Sequence, residues 1–222
     1  MKKAFLFDMD GTLLNSMIYW YESGARIIRD YFDDPKVVDK IKEMSAREVV
    51  IYAKEELNAN QVKEFRRRWL DAMMEHYQND IQQVKGVKEF LDKCKSEGIR
   101  MGIATGTNET LSVPALQKQG LLEYFEFVIS EDTVGKGKGE PDIYLIAAEK
   151  LGVTPENCVV FEDGLHGAKT VKKAGFNLVG IYDEVGSHYE DELRALSDLY
   201  IYNFENLDPK ELLKWFNDKT GM

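Results

Sequence analysis

Cysteine is scarce in this chain, with only Cys94 and Cys158 among 222 residues. Neither belongs to a metal-ligand spacing or a disulfide framework, which excludes a thiolate metal site and a stapled secreted scaffold and leaves a reduced, cytoplasmic setting as the expectation. Long uncharged apolar runs are missing too, so no segment is expected to span a bilayer. The few apolar residues between Met1-Lys2-Lys3 and Asp8 are too short for the apolar region of a secretory leader. There is no surplus of basic residues: 29 Lys and Arg stand against 39 Asp and Glu, a net charge of −10. That balance opposes nonspecific binding to nucleic acid or to an anionic membrane. Internal repeats and low-complexity tracts are absent as well.

What is present begins with Asp8-Met9-Asp10-Gly11-Thr12, directly after the apolar run Ala4-Phe5-Leu6-Phe7. A short, continuous apolar run reads as a strand buried on both faces. Gly11 lets the chain turn away sharply. Two carboxylates at the mouth of such a strand repel: about 4 Å apart they oppose one another by roughly 4 kcal/mol at a partly shielded dielectric. A cation, a shared proton or solvent must offset this, and a divalent metal is the expectation. The alternative is a turn in which the Asp side chains bond their own backbone.

The length allows one large domain, or a core with a smaller inserted one. From about Met17 to Gln83 the pattern is helical. Tyr19, Trp20, Ser23, Ile27, Ile28 and Tyr31 recur at three- and four-residue spacing, Pro35 separates two helices, and Ser45 with Glu48 forms a candidate cap. A further helix is predicted over Asn60 to Tyr77. Beyond Gly86, strands and helices alternate, which predicts a mostly parallel sheet. The strand candidates are Ile99 to Ala104, Phe127 to Ile129, Cys158 to Phe161, Leu178 to Ile181 and Leu199 to Tyr202. Helices are predicted at Val87 to Ser96, Glu109 to Lys118, Asp142 to Leu151 and Gly167 to Lys173. Asp208-Pro209 starts a last helix that ends near Asn217.

Three further groups fall where these strands stop. Thr105-Gly106-Thr107 offers a hydroxyl and an amide suited to phosphate oxygens near a helix N-terminus, or else a simple helix cap. The stretch Gly135-Lys136-Gly137-Lys138-Gly139-Glu140-Pro141-Asp142 lacks P-loop spacing and reads either as a source of cations or as a solvated loop. Glu162-Asp163-Gly164 sets a second acidic pair after a second apolar strand.

Together these residues resemble the haloacid dehalogenase superfamily, in its phosphatase and β-phosphoglucomutase-like branch with a helical cap. Asp8 to Leu14 is similar to the first motif of that family, Thr105 to the second, Lys138 before Pro141-Asp142 to the third, and Glu162-Asp163 to the fourth. The resemblance implies an α/β, Rossmann-like core of residues 1–14 and 85–222 with a mostly parallel sheet, and a small α-helical cap of residues 15–84. It further implies a magnesium-dependent phosphatase, or alternatively a phosphomutase, in which Asp8 is the nucleophile and Asp10 the general acid and base. Asp8, the backbone carbonyl of Asp10, Glu162 and Asp163 would hold Mg2+, while Thr105, Gly106 and Lys138 would bind the phosphoryl group. Asn15, followed by Ser16, stands where the usual aspartate follows the first motif, and Gly139 stands where proline commonly follows the lysine; Lys136 competes with Lys138 for its part. Cap candidates for the leaving group are Tyr19, Trp20 and Arg47. Arg66, Arg67 and Arg68 are expected on a solvated face, and His76, His166 and His188 in structural or loop-edge places. The expected partner is a small phosphorylated metabolite, without nucleic acid or membrane, and the expected state is a monomer.

Overall fold

The computed structural model describes residues 4–32, 36–41, 44 and 46–219, without the side chains of residues 38, 39, 41, 46, 47 and 219. Pro35, Ser45 and the side chain of Arg47 therefore lie outside the described residues.

The chain runs β1 (Ala4–Phe7), then four helices: α1 (Met17–Ile28), α2 (Lys36–Ile41), α3 (Ala46–Glu56) and α4 (Ala59–Asn79). Next come α5 (Val87–Ser96), β2 (Arg100–Thr105), α6 (Glu109–Lys118), β3 (Val128–Ser130), α7 (Glu131–Val134) and α8 (Asp142–Lys150). The remainder is β4 (Cys158–Glu162), α9 (Leu165–Lys173), β5 (Asn177–Ile181), α10 (Glu190–Leu196), β6 (Leu199–Ile201) and α11 (Pro209–Lys219). Among the described residues, six parallel strands form one sheet in the order β3-β2-β1-β4-β5-β6. The parallel sheet is the one expected from the alternation of strand and helix, and its Rossmann-like architecture is the one that the family resemblance implies. The last helix reaches Lys219, two residues past the expected end, and Asp208 caps it by accepting from the amides of Lys210 and Glu211. The short helices α7 and α10 were not expected.

Strand β1 sits at the centre, with every residue fully buried. Its side chains alternate between the two sheet faces. Phe5 and Phe7 join Phe90, Phe161 and Phe204 on one side, under α5, α6 and α11. Ala4 and Leu6 join Val160, Ile143 and Val171 on the other, under α8, α9 and α10. Phe7 stacks on Phe161 with ring centroids 4.5 Å apart, and Phe5 meets the same ring edge-on at 5.3 Å. Such pairs add a directional gain of about 0.5–1.5 kcal/mol to that of area burial. Two layers of helix thus fix the strand whose end carries Asp8.

The helices between β1 and β2 pack largely through aromatic rings. Trp20 of α1 meets Trp69 of α4 edge-on at 5.2 Å, and Tyr31 meets Phe65 at 5.9 Å. The absence of a side chain at Gly24 admits the Trp69 ring, because a Cβ there would stand 3.2 Å from it. Chain entry and exit for this block run side by side: the Asn15 amide donates to Gln82 O at 2.9 Å, and the Val84 amide to Leu13 O at 2.9 Å. No described helix is long and apolar enough to cross a membrane.

Candidate active site

Parallel strands deliver their C-terminal ends to one edge of the sheet, and a ligand crevice lies beyond that edge. Asp8 follows β1, Thr105 ends β2, Glu131 follows β3, Glu162 ends β4 with Asp163 next, and Asp183 follows β5. A cavity of about 570 Å³ opens there, lined by Asp8, Asp10, Lys138, Glu162 and Asp163 on the sheet side and by Trp20, Met44, Val49 and Trp69 on the helical side. That volume suits a small metabolite.

Asp8 of the first acidic pair and both members of the second converge. Ligand oxygens of Asp8, Glu162 and Asp163, all buried, lie within 4.8 Å of one another. Gly11 makes this approach possible. Its backbone is left-handed at φ 79°, and a Cβ on it would stand 2.1 Å from Asp163 Oδ2. The Thr12 hydroxyl donates to Asp163 Oδ1 at 3.1 Å and holds the carboxylate over the turn.

Lys138, rather than Lys136, reaches this cluster. Its Nζ donates to Asp8 Oδ1 at 2.5 Å and to Glu162 Oε2 at 2.9 Å, whereas Lys136 pairs with Asp142 at the surface. Glu162 is held in turn by the Tyr144 hydroxyl at 2.9 Å and by the Gly164 amide at 3.2 Å. Tyr144 carries no sequence signal beyond one apolar position of α8.

Burial is the largest influence on these groups. It pushes the Asp8 carboxyl up to about 7; Lys138 opposes that rise, and Glu162 and Asp10 add to it. Burial and the charges of Asp8 and Glu162 hold the Asp163 carboxyl well above its ordinary range. Lys138 is desolvated as well, which alone would depress it, yet Asp8 and Glu162 keep it well above the usual lysine value. The set carries more carboxylate than one lysine neutralises. Three buried oxygen donors with surplus negative charge suit a hard divalent cation, so the residues fit such an ion.

Asp10 is arranged differently from its neighbours. Its carboxylate accepts three hydroxyls: Ser16 at 2.6 Å and Tyr77 at 2.5 Å on Oδ1, and Thr107 at 2.7 Å on Oδ2. The carboxylate cluster that could hold a cation does not include it. Tyr77 also accepts from Trp20 Nε1 at 3.0 Å, so the one polar atom of the Trp20 side chain is engaged and the ring serves as cavity wall. Of the three hydroxyls on Asp10, only that of Thr107 lies in a segment that the sequence marks as a candidate site, Thr105-Gly106-Thr107. Thr105 is fully buried and its hydroxyl oxygen accepts from the Thr107 amide, while Gly106 and Thr107 line the cavity.

Other candidates fall outside the cluster. Tyr19 packs at a tilt against the ring of His76, whose nitrogens engage Asp80 and Ser23. His188 bonds the Val185 carbonyl, and His166 is exposed beside Gly139 at the cavity rim. Arg67 and Arg68 pair with Asp71 and Asp30, as a solvated face requires.

Residues 2–175 match the family described as haloacid dehalogenase-like hydrolase. The chain belongs to the haloacid dehalogenase-like hydrolases. Among its relatives, the phosphorylated carbohydrates phosphatase of Thermotoga maritima is 30% identical over 181 residues, covering 80% of this chain and 83% of that protein. A β-phosphoglucomutase of Bacillus subtilis is 27% identical over 191 residues, covering 81% and 83%. The fold of this haloacid dehalogenase-like hydrolase is similar to that of CbbY from Rhodobacter sphaeroides in complex with phosphate, at a TM-score of 0.79 and 23% identity over 93% of this chain and 96% of that one.

Proposed function

We propose that the protein is a magnesium-dependent phosphatase that hydrolyses a small phosphorylated carbohydrate through an aspartyl-phosphate on Asp8. The observation that carries this reading is the contact of Lys138 with Asp8 and Glu162 beside Asp163, in a cavity of metabolite size. A phosphatase relative at 30% identity supports the substrate class.

In this mechanism a carboxylate oxygen of Asp8 attacks phosphorus in line while Lys138 orients the nucleophile and offsets charge on the transferring group. The Thr105 hydroxyl and the Gly106 amide take part of the remaining charge on the phosphoryl oxygens. Asp10 gives a proton to the departing alkoxide and later takes one from the attacking water. The hydroxyls of Ser16, Tyr77 and Thr107 hold its carboxyl group in place for both steps. Asp8, Asp163 and Glu162, with the backbone carbonyl of Asp10, would hold magnesium. When bound, the ion neutralises the carboxylates and the phosphoryl oxygens together.

Residues 15–84 act as a cap that closes on the leaving group and excludes water, with the core in residues 1–14 and 85–222. Trp20 and Trp69 present ring surface to the apolar face of a sugar. Buried, unpaired Cys94 and Cys158 suit a reduced cytoplasm, where burial keeps both thiols protonated and inert. We take the protein to work as a monomer, without nucleic acid or membrane.

The test is a magnesium-supplemented panel of phosphorylated sugars, nucleotides and small acids, with Asp8→Asn as the control. Phosphate release by the wild type alone is the expected result, and no release across the panel removes the reading. Similarity to β-phosphoglucomutase over 81% of the chain favours a second reading, a phosphomutase. Interconversion of glucose 1- and 6-phosphates, dependent on a bisphosphate activator, would select it.

A further inference from the structure

The segment that carries Lys138 is Gly135-Lys136-Gly137-Lys138-Gly139, in which every second residue is glycine. Glycine has the most backbone freedom to lose on folding, so a lysine ammonium held at one point in such a loop needs an anchor on its main chain. Glu131 supplies that anchor. It is 1% exposed at the start of α7, and its Oε1 accepts from the Lys138 amide at 2.7 Å. Its own carbonyl accepts from the Gly135 amide at 2.8 Å, where a left-handed φ of 80° turns the chain back. The glycine-rich segment therefore closes on a single residue from both ends.

Glu131 is itself fixed. The preceding Ser130 donates its amide and hydroxyl to Glu109 at 2.9 and 2.7 Å, and the Thr133 hydroxyl donates to the same carboxylate at 2.5 Å. Across the cavity wall, the Glu131 carboxyl lies 3.9 Å from where a Cβ on Gly106 would stand, so it sits beside the turn after β2 as well as against the lysine loop. The reaction described above draws on no group of Glu131.

We propose that Glu131 is the positioning residue for Lys138: by accepting the Lys138 amide it sets where the ammonium stands against Asp8. The catalytic meaning of this contact rests on the phosphatase reading, whereas the clamp itself does not. Two measurements separate them. The first is hydrogen exchange of the peptide covering residues 135–139 in the wild type, Glu131→Ala, Glu131→Met and Glu131→Gln. Methionine keeps the bulk without the acceptor and serves if the alanine variant does not fold; glutamine keeps a carbonyl acceptor. Exchange is expected to quicken roughly tenfold or more in the alanine and methionine variants, as a part-buried amide loses its partner, and to stay near wild type in the glutamine variant. The second is turnover of p-nitrophenyl phosphate with magnesium. There kcat is expected to fall roughly 10- to 100-fold without the acceptor and to stay within about threefold with glutamine.

Unchanged exchange in the alanine and methionine variants overturns the proposal, as does a glutamine variant that exchanges as fast as they do. A lowered melting temperature with unchanged kcat per folded molecule overturns the positioning role. Wild-type protein without phosphatase activity sinks the earlier reading instead, and the exchange comparison then decides the clamp alone.

Discussion

Lys138 Nζ stands 2.5 Å from Asp8 Oδ1 across 130 positions of sequence, and both side chains are almost wholly out of solvent. Breaking such a buried pair leaves an uncompensated charge, which costs about 3–5 kcal/mol. Lys138→Ala is therefore expected to lower the urea midpoint and to reduce kcat by roughly 10²-fold or more, the scale on which loss of a preorganised charge acts. Tyr144→Phe, which removes one donor from Glu162, should cost less, about 1.5–3 kcal/mol. Denaturation curves beside p-nitrophenyl phosphate turnover would check the order. Equal effects of the two variants would contradict it.

The hydroxyl cage around Asp10 leads to a prediction that depends on the leaving group. Asp10→Asn removes the group that protonates an alkoxide and that later activates water, each step being helped by roughly 10²–10⁴-fold. p-Nitrophenolate leaves without a proton, so the variant should release one burst of it per enzyme and then stall as the acyl phosphate. A sugar phosphate should give neither burst nor turnover. Rapid-quench kinetics would reveal the difference, and steady turnover of both substrates would deny Asp10 its part.

On the proposed reading, a bound metal would compete with the proton for the same oxygens. In the metal-free fold the Asp8 carboxyl stands at about 7 against an ordinary 3.8, so its protonated form is the one favoured by folding. Its contribution is fully present below about pH 3.8 and is lost as pH rises through about 7. The rise in melting temperature produced by magnesium should accordingly grow across that window and level off above it. Asp163→Asn should abolish most of the rise while leaving the fold intact. A magnesium effect independent of pH, or one that survives Asp163→Asn, would place the ion elsewhere.

Gly11→Ala tests the turn itself. A methyl group at φ 79° and 2.1 Å from Asp163 Oδ2 must push either the turn or the carboxylate away. Strain of this kind is worth about 1–3 kcal/mol. Lower thermal stability is expected together with weaker magnesium activation, the second being the sharper sign; unaltered activation would show that the carboxylate has room to move.

The parts of this site that read directly from sequence are those at strand ends. A run such as Val159-Val160-Phe161 has nowhere to go but a buried strand, and the acidic residues that follow it must emerge at the same sheet edge as Asp8. Helix α6 was legible to the residue for a similar reason, with Glu109 opening it and Lys118 closing it. Ser16, Tyr77 and Thr107 were not legible as a group, because their common partner Asp10 lies 6, 67 and 97 positions away and a hydrogen bond over such distances leaves no periodicity. Tyr144 and Glu131 hide for the same reason. Helix α10 escaped notice because Glu190, Asp191 and Glu192 fill its first turn and leave little apolar pattern.

The paired amide bonds of Asn15 with Gln82 and of Val84 with Leu13 bring departure and return of the chain to one doorway on the sheet. A segment that leaves and returns at such a doorway makes no topological demand on the strands beneath, so its contents can change while the oxygens gathered at the sheet edge stay put. On the proposed reading, selection for new clientele can then act on one insert, and the reactive centre need not be reinvented each time.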